Sequence, residues 1–216
     1  PPGAGLYLSA VVRPPLPLAM VPAMTLAIGV GLCDAIRTFG AHAVLKWPND
    51  ALVDGRKLAG VLVEAHSQGS RLDAVIVGIG VNLTTAVLAA GQGSAHDALP
   101  DHAITLEEAA GRPVDRESFL DAVLVSVERW IDRYVAIGLP VVIPAWHERM
   151  APRLVARASL VDEAGTRAQL VGEVAGLDGD GALLLRDGTG QLHRVRSGDV
   201  EVLRDPVGSG AVAATC

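Results

Sequence analysis

Apolar residues are spaced along the first two-thirds of the chain in a way that predicts both strands and helices. Positions that alternate, or that form short apolar runs, predict strands at about 6–12, 43–47, 58–63 and 73–83. Apolar positions that recur every three or four residues predict helices at about 18–39, 115–137 and 140–150. The run at 58–63 contains no polar side chain, which is typical of a strand that is covered on both faces.

The pattern changes near residue 152, where short strands rich in valine and leucine are separated by glycine-containing turns. These turn signals fall at 163–165, 178–181 and 187–190. Hairpin signals at this density predict a small antiparallel barrel. The predicted fold class is therefore α+β. Its parts are a mixed sheet with helices in residues 1–151, the barrel in 152–204 and a flexible tail in 205–216.

The strand at 73–83 has two unlike faces. Its odd positions carry bulky apolar side chains, whereas the other face consists of Ile76, Gly78, Gly80 and Asn82. Glycines weaken a strand and often mark a place where a ligand or another backbone approaches closely. A flat floor with an amide at its edge suits a planar heterocycle, because an Asn amide can pair with an adenine edge. Close packing of another strand or helix explains the glycines equally well.

A second candidate site lies in the preceding segment, where charged residues interrupt an apolar stretch. The Asp-Gly pair at 54–55 predicts a two-residue hairpin turn, which places Asp50 opposite Ala59. In that register Asp50 and Lys57 are diagonal neighbours on one face, roughly 7–8 Å apart at the backbone, unless a bulge intervenes. The pair is either part of a site or an exposed salt bridge, which contributes little stability.

Composition narrows the possible function classes. The 216 residues carry a formal net charge of −6 and no run of basic residues, which argues against a nucleic-acid-binding surface. The two cysteines, Cys33 and Cys216, form neither a disulfide framework nor a metal motif, so a reducing cytoplasm is expected. The apolar run at 16–36 is interrupted by prolines and by Asp34, so it predicts a buried helix and not a signal peptide or membrane span.

Sequence motifs for metals and for the standard nucleotide cradles are missing. The six histidines show no ligand spacing, so no protein-held metal is predicted. Neither a P-loop nor a complete dinucleotide fingerprint occurs.

The small and polar stretch at 84–102 is predicted to be a mobile lid over the glycine floor. Thr105 and Glu108 predict a capping box at the start of a short helix.

Three segments carry a resemblance to a known family. They are Lys46–Asp50, Arg56–Glu64 and Gly78–Leu83. In this order and spacing they resemble biotin protein ligases, and the resemblance extends from Pro1 to about Arg204. It implies a biotin/lipoate ligase-like catalytic domain that is followed by an SH3-like barrel.

The resemblance implies a two-step reaction. Biotin and ATP give biotinyl-5′-AMP, and a lysine of the biotin carboxyl carrier protein of acetyl-CoA carboxylase then attacks this mixed anhydride. Lys57 matches the lysine that neutralises charge between the biotin carboxylate and the α-phosphate, and Asp50 matches the carboxylate that orients or deprotonates the incoming amine. The implied biotin contacts are Lys57, Gly60, Val61 and Leu62. The implied ATP contacts are Asn49, Gly78, Gly80 and Asn82, and Mg²⁺ is implied by ATP.

Part of the family pattern is not found in the chain. The family's glycine- and arginine-rich loop precedes the point that matches Pro1, so an N-terminally truncated core is expected. No helix-turn-helix is recognised, so repressor activity and a nucleic-acid partner are not expected, and neither is a membrane partner. Two alternatives stay open, namely a lipoate-type acyl ligase and an inactive fragment that only binds the carrier domain.

Overall fold

Five antiparallel strands form the sheet that carries the candidate site. The computed structural model describes residues 3–85, 102–150, 154–161, 167–196 and 200–203. The strands of this sheet are β1 (Gly5–Val12), β2 (Val44–Lys46), β3 (Asp50–Val53), β4 (Arg56–Gln68) and β5 (Arg71–Asn82). Their order is β1-β5-β4-β3-β2, and every ladder is antiparallel. The parallel part of the predicted mixed sheet is limited to two isolated bridges, because tight turns and not helical crossovers join β2 through β5.

The helices described in the same part of the chain are α1 (Val21–Thr38), α2 (Leu106–Ala110), α3 (Arg116–Ile137) and α4 (Leu139–His147). A short 3-10 turn, Leu18–Met20, leads into α1. The long helices predicted from periodicity are confirmed, with small shifts at their ends. α1 packs against β4 and against α3. Gly31 permits the close approach of α1 to α3, since a Cβ there would lie 2.8 Å from the carbonyl oxygen of Ser126.

The stretch from Leu18 to Thr38 is long and apolar enough to cross a membrane, yet it is used as a core helix. It has 21 residues, and 67% of its apolar window is buried inside the fold. Every residue from Leu26 to Cys33 is buried, as are Met24, Ala35 and Ile36. The middle of the helix is therefore enclosed on all sides, as expected for the predicted buried helix.

The two faces of the sheet differ as the alternation in β5 predicted. On one face Val75, Val77, Ile79 and Val81 are at most 3% exposed. On the other face Tyr7 is 73% exposed and Leu62 is 58% exposed. The prediction that 58–63 is covered on both faces is therefore wrong, because the helices pack on the side that carries the valines.

The hairpin between β3 and β4 turns through two residues with positive φ, as its Asp-Gly pair predicted. A β-bulge follows, in which β4 gains one residue relative to β3. Asp50 consequently stands opposite Gly60 and not opposite Ala59. The predicted register is wrong at Asp50, because a bulge shifts every later partner by one residue.

The chain divides into two compact units, residues 1–151 with 179–181 and residues 152–178 with 182–216. The second unit contains β6 (Val155–Val161), β7 (Arg167–Leu177), β8 (Leu183–Arg186), β9 (Leu192–Val195) and β10 (Val200–Leu203). These strands form an antiparallel sheet in the order β10-β6-β7-β8-β9. Within the described residues β9 and β10 are its edges, so closure into an SH3-like barrel stays a prediction. The predicted tail at 205–216 and most of the predicted lid at 84–102 lie outside the described residues.

Candidate active site

Asp50 is a buried carboxylate that contacts two ammonium groups. The residue is 9% exposed, and its Oδ1 lies 2.6 Å from Nζ of Lys57 while its Oδ2 lies 3.3 Å from Nζ of Lys46. These are the only two lysines among the 216 residues. The predicted contact of Asp50 with Lys57 is therefore present, and Lys46 extends it. The ion pair of Asp50 and Lys57 is therefore not an exposed surface salt bridge. The carboxylate is removed from solvent, so its charge is stabilised by the neighbouring cations.

The β-bulge and Gly60 together make room for the contact between Lys57 and Asp50. In a regular strand, residues three apart point to opposite faces. The extra bulge residue instead brings Lys57 and Gly60 to the same face of β4, which is the face of Asp50. A Cβ on Gly60 would lie 3.3 Å from Oδ1 of Asp50 and 3.4 Å from Nζ of Lys57. Gly60 therefore provides the space in which the ion pair lies.

The two oxygens of Asp50 are bound differently. Oδ2 accepts a hydrogen bond from Nζ of Lys46. Oδ1 is buried and accepts no hydrogen bond from any described residue. The 2.6 Å contact of Oδ1 with Lys57 is thus an ion pair without hydrogen-bond alignment. A carboxylate oxygen in this state retains the capacity to accept a hydrogen bond from another group.

The exposed sheet face beside this ion pair is nearly bare backbone. Gly80 lies between Tyr7 and Gly60 in the register, and Gly78 follows on the same face of β5. A Cβ on Gly78 or Gly80 would meet its nearest neighbour at 3.6 or 3.7 Å, which is ordinary contact. Packing among the described residues therefore requires neither glycine. Of the two explanations for these glycines, a floor left bare for a ligand fits this geometry better than close packing of another element.

Two adjacent hollows meet at Lys57 on this face. The lining of the first includes Tyr7, Lys57, Gly60, Gly80, Asn82 and His102. The lining of the second includes Asn49, Lys57, Gly60, Val61, Leu62, Gly78 and Gly80. Every predicted site residue therefore lines one of the hollows or, in the case of Asp50, contacts a lining residue.

The side-chain amides of the two predicted asparagines are bound to the backbone. Nδ2 of Asn49 donates to the carbonyl oxygen of Val61 at 2.8 Å, and the Val61 N–H donates to the carbonyl oxygen of Asn49 at 2.9 Å. Nδ2 of Asn82 donates at 3.3 Å to the carbonyl oxygens of Lys57 and Ile104. Because both N–H groups of Asn82 are used, the predicted bidentate pairing with an adenine edge is not available in this arrangement. Its Oδ1 remains the atom that can accept a hydrogen bond from a ligand.

Sequence reasoning missed Tyr7, His102 and Lys46 as members of the site. Tyr7 lies in the segment at 5–9, which is part of the resemblance, but its residue type and spacing did not mark it as a site residue. His102 stands in no recognisable motif, and it reaches the site because the Lys57 N–H donates to its carbonyl oxygen at 2.8 Å. Such a backbone bridge over 45 positions leaves no signal in the sequence. Lys46 did leave a signal, since a chain with only two lysines holds both within 11 positions of each other.

The described residues do not fit a resident Mg²⁺ ion. No group of three or more His, Cys, Asp or Glu side chains comes together among them. Asp50 is the carboxylate beside the glycine floor, and two ammonium groups already contact it. Mg²⁺ prefers several oxygen ligands in octahedral geometry. Any Mg²⁺ in this site would therefore be held mainly by the phosphates of a nucleotide.

Comparison with known proteins places this geometry in context. Residues 1–82 match the model of the biotin/lipoate A/B protein ligase family, and residues 164–203 match the biotin protein ligase C-terminal domain. The bifunctional ligase/repressor BirA of Bacillus subtilis is 30% identical over 201 residues, which cover 93% of this chain and 59% of BirA. The biotin–[acetyl-CoA-carboxylase] ligase of Paracoccus denitrificans is 34% identical over 174 residues, which cover 81% of this chain and 68% of that protein.

Solved structures agree with these sequence matches. The crystal structure of biotin protein ligase from Aquifex aeolicus has a TM-score of 0.73 and 25% identity, covering 94% of this chain and 83% of that one. The same protein in complex with biotin and ATP has a TM-score of 0.71 and 24% identity, covering 94% and 79% of the two chains. The chain spans about three-fifths of the length of the Bacillus relative, 59%.

Proposed function

The chain belongs to the biotin protein ligase family, and we propose that it activates biotin with ATP and transfers it to a lysine of the biotin carboxyl carrier protein of acetyl-CoA carboxylase. The observation that carries this proposal is the ion pair of Lys57 and Asp50 beside a bare glycine floor. A reaction between two anionic groups, followed by attack of an amine, requires a cation and a proton acceptor side by side.

In the first step, a biotin carboxylate oxygen attacks the α-phosphorus of ATP. A new O–P bond forms, the bond from the α-phosphorus to the bridging oxygen breaks, and pyrophosphate leaves with the electron pair. Negative charge collects between the carboxylate and the phosphate. Lys57 is the residue that we assign to neutralise this charge, because its ammonium borders both hollows and its side chain is 48% exposed.

In the second step, the amine of the carrier lysine attacks the carbonyl carbon of biotinyl-5′-AMP. A C–N bond forms, the C–O bond to the phosphate breaks, and AMP leaves with the electron pair. The attacking amine must also lose a proton. We assign Asp50 as the acceptor, because its Oδ1 lies beside the site and accepts no hydrogen bond from the described residues.

The two hollows are assigned to the two ligands. Biotin would contact Lys57, the backbone at Gly60 and Val61, and the exposed side chain of Leu62. The adenylate would lie over Gly78 and Gly80, with Asn49 on the floor's β3 side and with Oδ1 of Asn82 accepting a hydrogen bond. A planar ring over bare glycine backbone explains why these positions lack side chains.

Biotin-dependent exchange of pyrophosphate into ATP tests the first step. We expect the wild-type chain to catalyse exchange and Lys57→Ala to lose it by at least about a hundredfold, the size of a lost transition-state charge contact. Arg56→Ala is the matched control, since Arg56 lies next to Lys57 but pairs with Glu108 at 2.7 Å. Exchange that depends on lipoate in place of biotin, or a Lys57→Ala variant with wild-type activity, would contradict the proposal.

Transfer from preformed biotinyl-5′-AMP to an apo carrier domain tests the second step. Asp50→Ala should slow this transfer, and an unchanged rate would remove the role assigned to Asp50.

The repressor part of the Bacillus relative's name is not carried over to this chain. A formal net charge of −6 is unfavourable for contact with DNA phosphates, so the lack of a nucleic-acid partner stays a prediction.

A further inference from the structure

We propose that Lys46 is a positioning residue, which keeps the Asp50 carboxylate charged and in place while Lys57 leaves it for the substrates. The observation behind this role is that the chain's only two lysines contact the two different oxygens of one buried carboxylate. Its catalytic meaning rests on the proposed ligase function. Its electrostatic part concerns the folded chain alone and can be tested without activity.

The two lysines are held to Asp50 in different ways. Lys46 stands directly opposite Asp50 in the ladder of β2 and β3, donates a hydrogen bond to Oδ2, and has a side chain that is 22% exposed. Lys57 extends over Gly60, makes no hydrogen bond to Oδ1, and has a side chain that is 48% exposed. Lys57 is therefore the cation that can move to a substrate, whereas Lys46 is the cation that stays.

The backbone of Lys46 is anchored by its neighbours. The N–H of Leu45 donates to the carbonyl oxygen of Arg149 at 2.7 Å. Arg149 is fixed in turn, because its Nε donates to Oδ1 of Asp34 on α1 at 2.7 Å. β2 is thus held between β3 on one side and Arg149 on the other, which limits how far Lys46 can follow a substrate.

Departure of Lys57 would leave Lys46 as the one described cation in contact with Asp50. Besides β2 and β4, the helix α1 packs against β3. The charged side chains near the C-terminal end of α1 have other partners than Asp50. Asp34 binds Arg149, and Arg37 donates to the Ala43 carbonyl oxygen at 3.0 and 2.8 Å. A buried carboxylate without any cation takes up a proton instead of staying charged. A protonated Asp50 could no longer receive the proton of the carrier amine.

The choice of lysine also leaves Oδ1 without a hydrogen bond from Lys46. An ammonium is a point charge that binds one oxygen, whereas the planar guanidinium of arginine commonly bridges both oxygens of a carboxylate. Lys46 occupies Oδ2, so Oδ1 can exchange Lys57 for the ammonium of the carrier lysine. The two oxygens of Asp50 therefore have separate roles. Oδ2 keeps its contact with Lys46, whereas Oδ1 exchanges Lys57 for the carrier lysine.

A double-mutant cycle tests the electrostatic part by urea unfolding at pH 7. Lys46→Met and Lys57→Met each leave Asp50 one cation, whereas the double variant leaves it none. We expect the double variant to raise the unfolding equilibrium constant at least about tenfold more than the product of the single effects. The same cycle in an Asp50→Asn background should be additive. A double variant that folds only when Asp50→Asn is added supports the same conclusion, and additive effects with Asp50 present overturn the proposal.

The pH profile of transfer from biotinyl-5′-AMP to the apo carrier domain tests the catalytic part. Lys46→Met should move the acid limb of the rate to higher pH, because a buried carboxylate that loses a neighbouring cation takes up a proton more readily. Lys46→Arg keeps the charge and should leave the limb where the wild type has it, although its plateau rate should fall, because a guanidinium commonly bridges both oxygens of a carboxylate. An unmoved limb in Lys46→Met, or an equal shift in Lys46→Arg, overturns the proposal. A wild-type chain without biotin-dependent activity contradicts the ligase function instead, and the unfolding cycle still decides the role of Lys46.

Discussion

Gly60 stands directly opposite Asp50 in the β3–β4 ladder, and the space left by its missing side chain is where Lys57 meets that carboxylate. The site thus depends on an absent side chain as much as on the charged ones. A bulge brings Gly60 to this position, so the backbone of the hairpin and the ion pair are parts of one arrangement.

Gly60→Ala should disrupt the ion pair without unfolding the chain. The new Cβ would lie 3.3–3.4 Å from Oδ1 of Asp50 and from Cε and Nζ of Lys57, which is tighter than ordinary contact. Because the end of a lysine can shift, we expect the free energy of unfolding to fall by about 1 kcal/mol or less. The displaced ammonium should lower kcat of biotin-dependent exchange by about tenfold or more.

Gly78→Ala separates an effect on the ion pair from an effect on the proposed floor. Its Cβ would lie 3.6 Å from Cβ of Leu62 and would contact neither Asp50 nor Lys57. Its stability and kcat should stay close to those of the wild type, and any loss should appear in KM, because the new methyl group would lie on the proposed floor. A Gly60→Ala variant with wild-type kcat would contradict the role given to Gly60.

Asn82→Ala should loosen the contact between Lys57 and the segment at 102–104. The variant loses two hydrogen bonds of 3.3 Å to the carbonyl oxygens of Lys57 and Ile104, each worth about 1 kcal/mol. We expect faster hydrogen exchange at the Ile104 amide, which donates to the Lys57 carbonyl oxygen at 3.0 Å. Amides in the β1–β5 ladder serve as the internal reference. Unchanged protection of Ile104 would show that Asn82 does not hold this segment.

Two glycines of α1 should respond to alanine in opposite directions. At Gly31 a Cβ would lie 2.8 Å from the Ser126 carbonyl oxygen and 2.9 Å from Cα of Val127, so α1 and α3 must separate at a cost of about 1–3 kcal/mol. At Gly29 the nearest atom is 3.7 Å away, so Gly29→Ala should gain up to about 1 kcal/mol of helix propensity. Urea unfolding of both variants measures this, and a common sign would refute the packing explanation.

Asp115 should make the stability of the chain depend on pH in the acid range. The pKa of this carboxyl is lowered from 3.8, because the Ser118 hydroxyl and then the Ser118 N–H donate to it at the start of α3. A folded pKa below the unfolded one means that the stabilisation is complete above pH 3.8 and is lost as pH falls through the lower folded value.

Asp115→Asn removes this titration and retains a capping oxygen. We therefore expect it to be less stable than the wild type at pH 7, with a difference that shrinks as pH falls below 3.8. Urea midpoints measured between pH 7 and pH 2 test this. A difference that stays constant over that range would rule out the Asp115 carboxylate as its cause.

Local features could be predicted from the chain because their causes lie within a few residues. Thr105 begins α2 as predicted, since its hydroxyl accepts from the Glu108 N–H at 3.2 Å. In a full capping box, the Glu108 carboxylate would also accept a hydrogen bond from the Thr105 N–H. It pairs instead with Arg56 at 2.7 Å. Arg56 is 52 positions away, and no periodicity or turn signal reports a contact over that distance.

Periodicity and turn chemistry act over short stretches of chain, so they predict features whose causes are local. These features are the order of strands, helices and hairpin turns, the apolar face of β5 and the proximity of Asp50 to Lys57. Whether a face of the sheet is covered does not follow from periodicity or turn chemistry, and Leu62 is exposed because the helices pack on the other side. The bulge that places Gly60 opposite Asp50 is likewise invisible in the alternation of residues. The convergence of both lysines on one buried carboxylate required three strands to be aligned, and only tertiary packing aligns them.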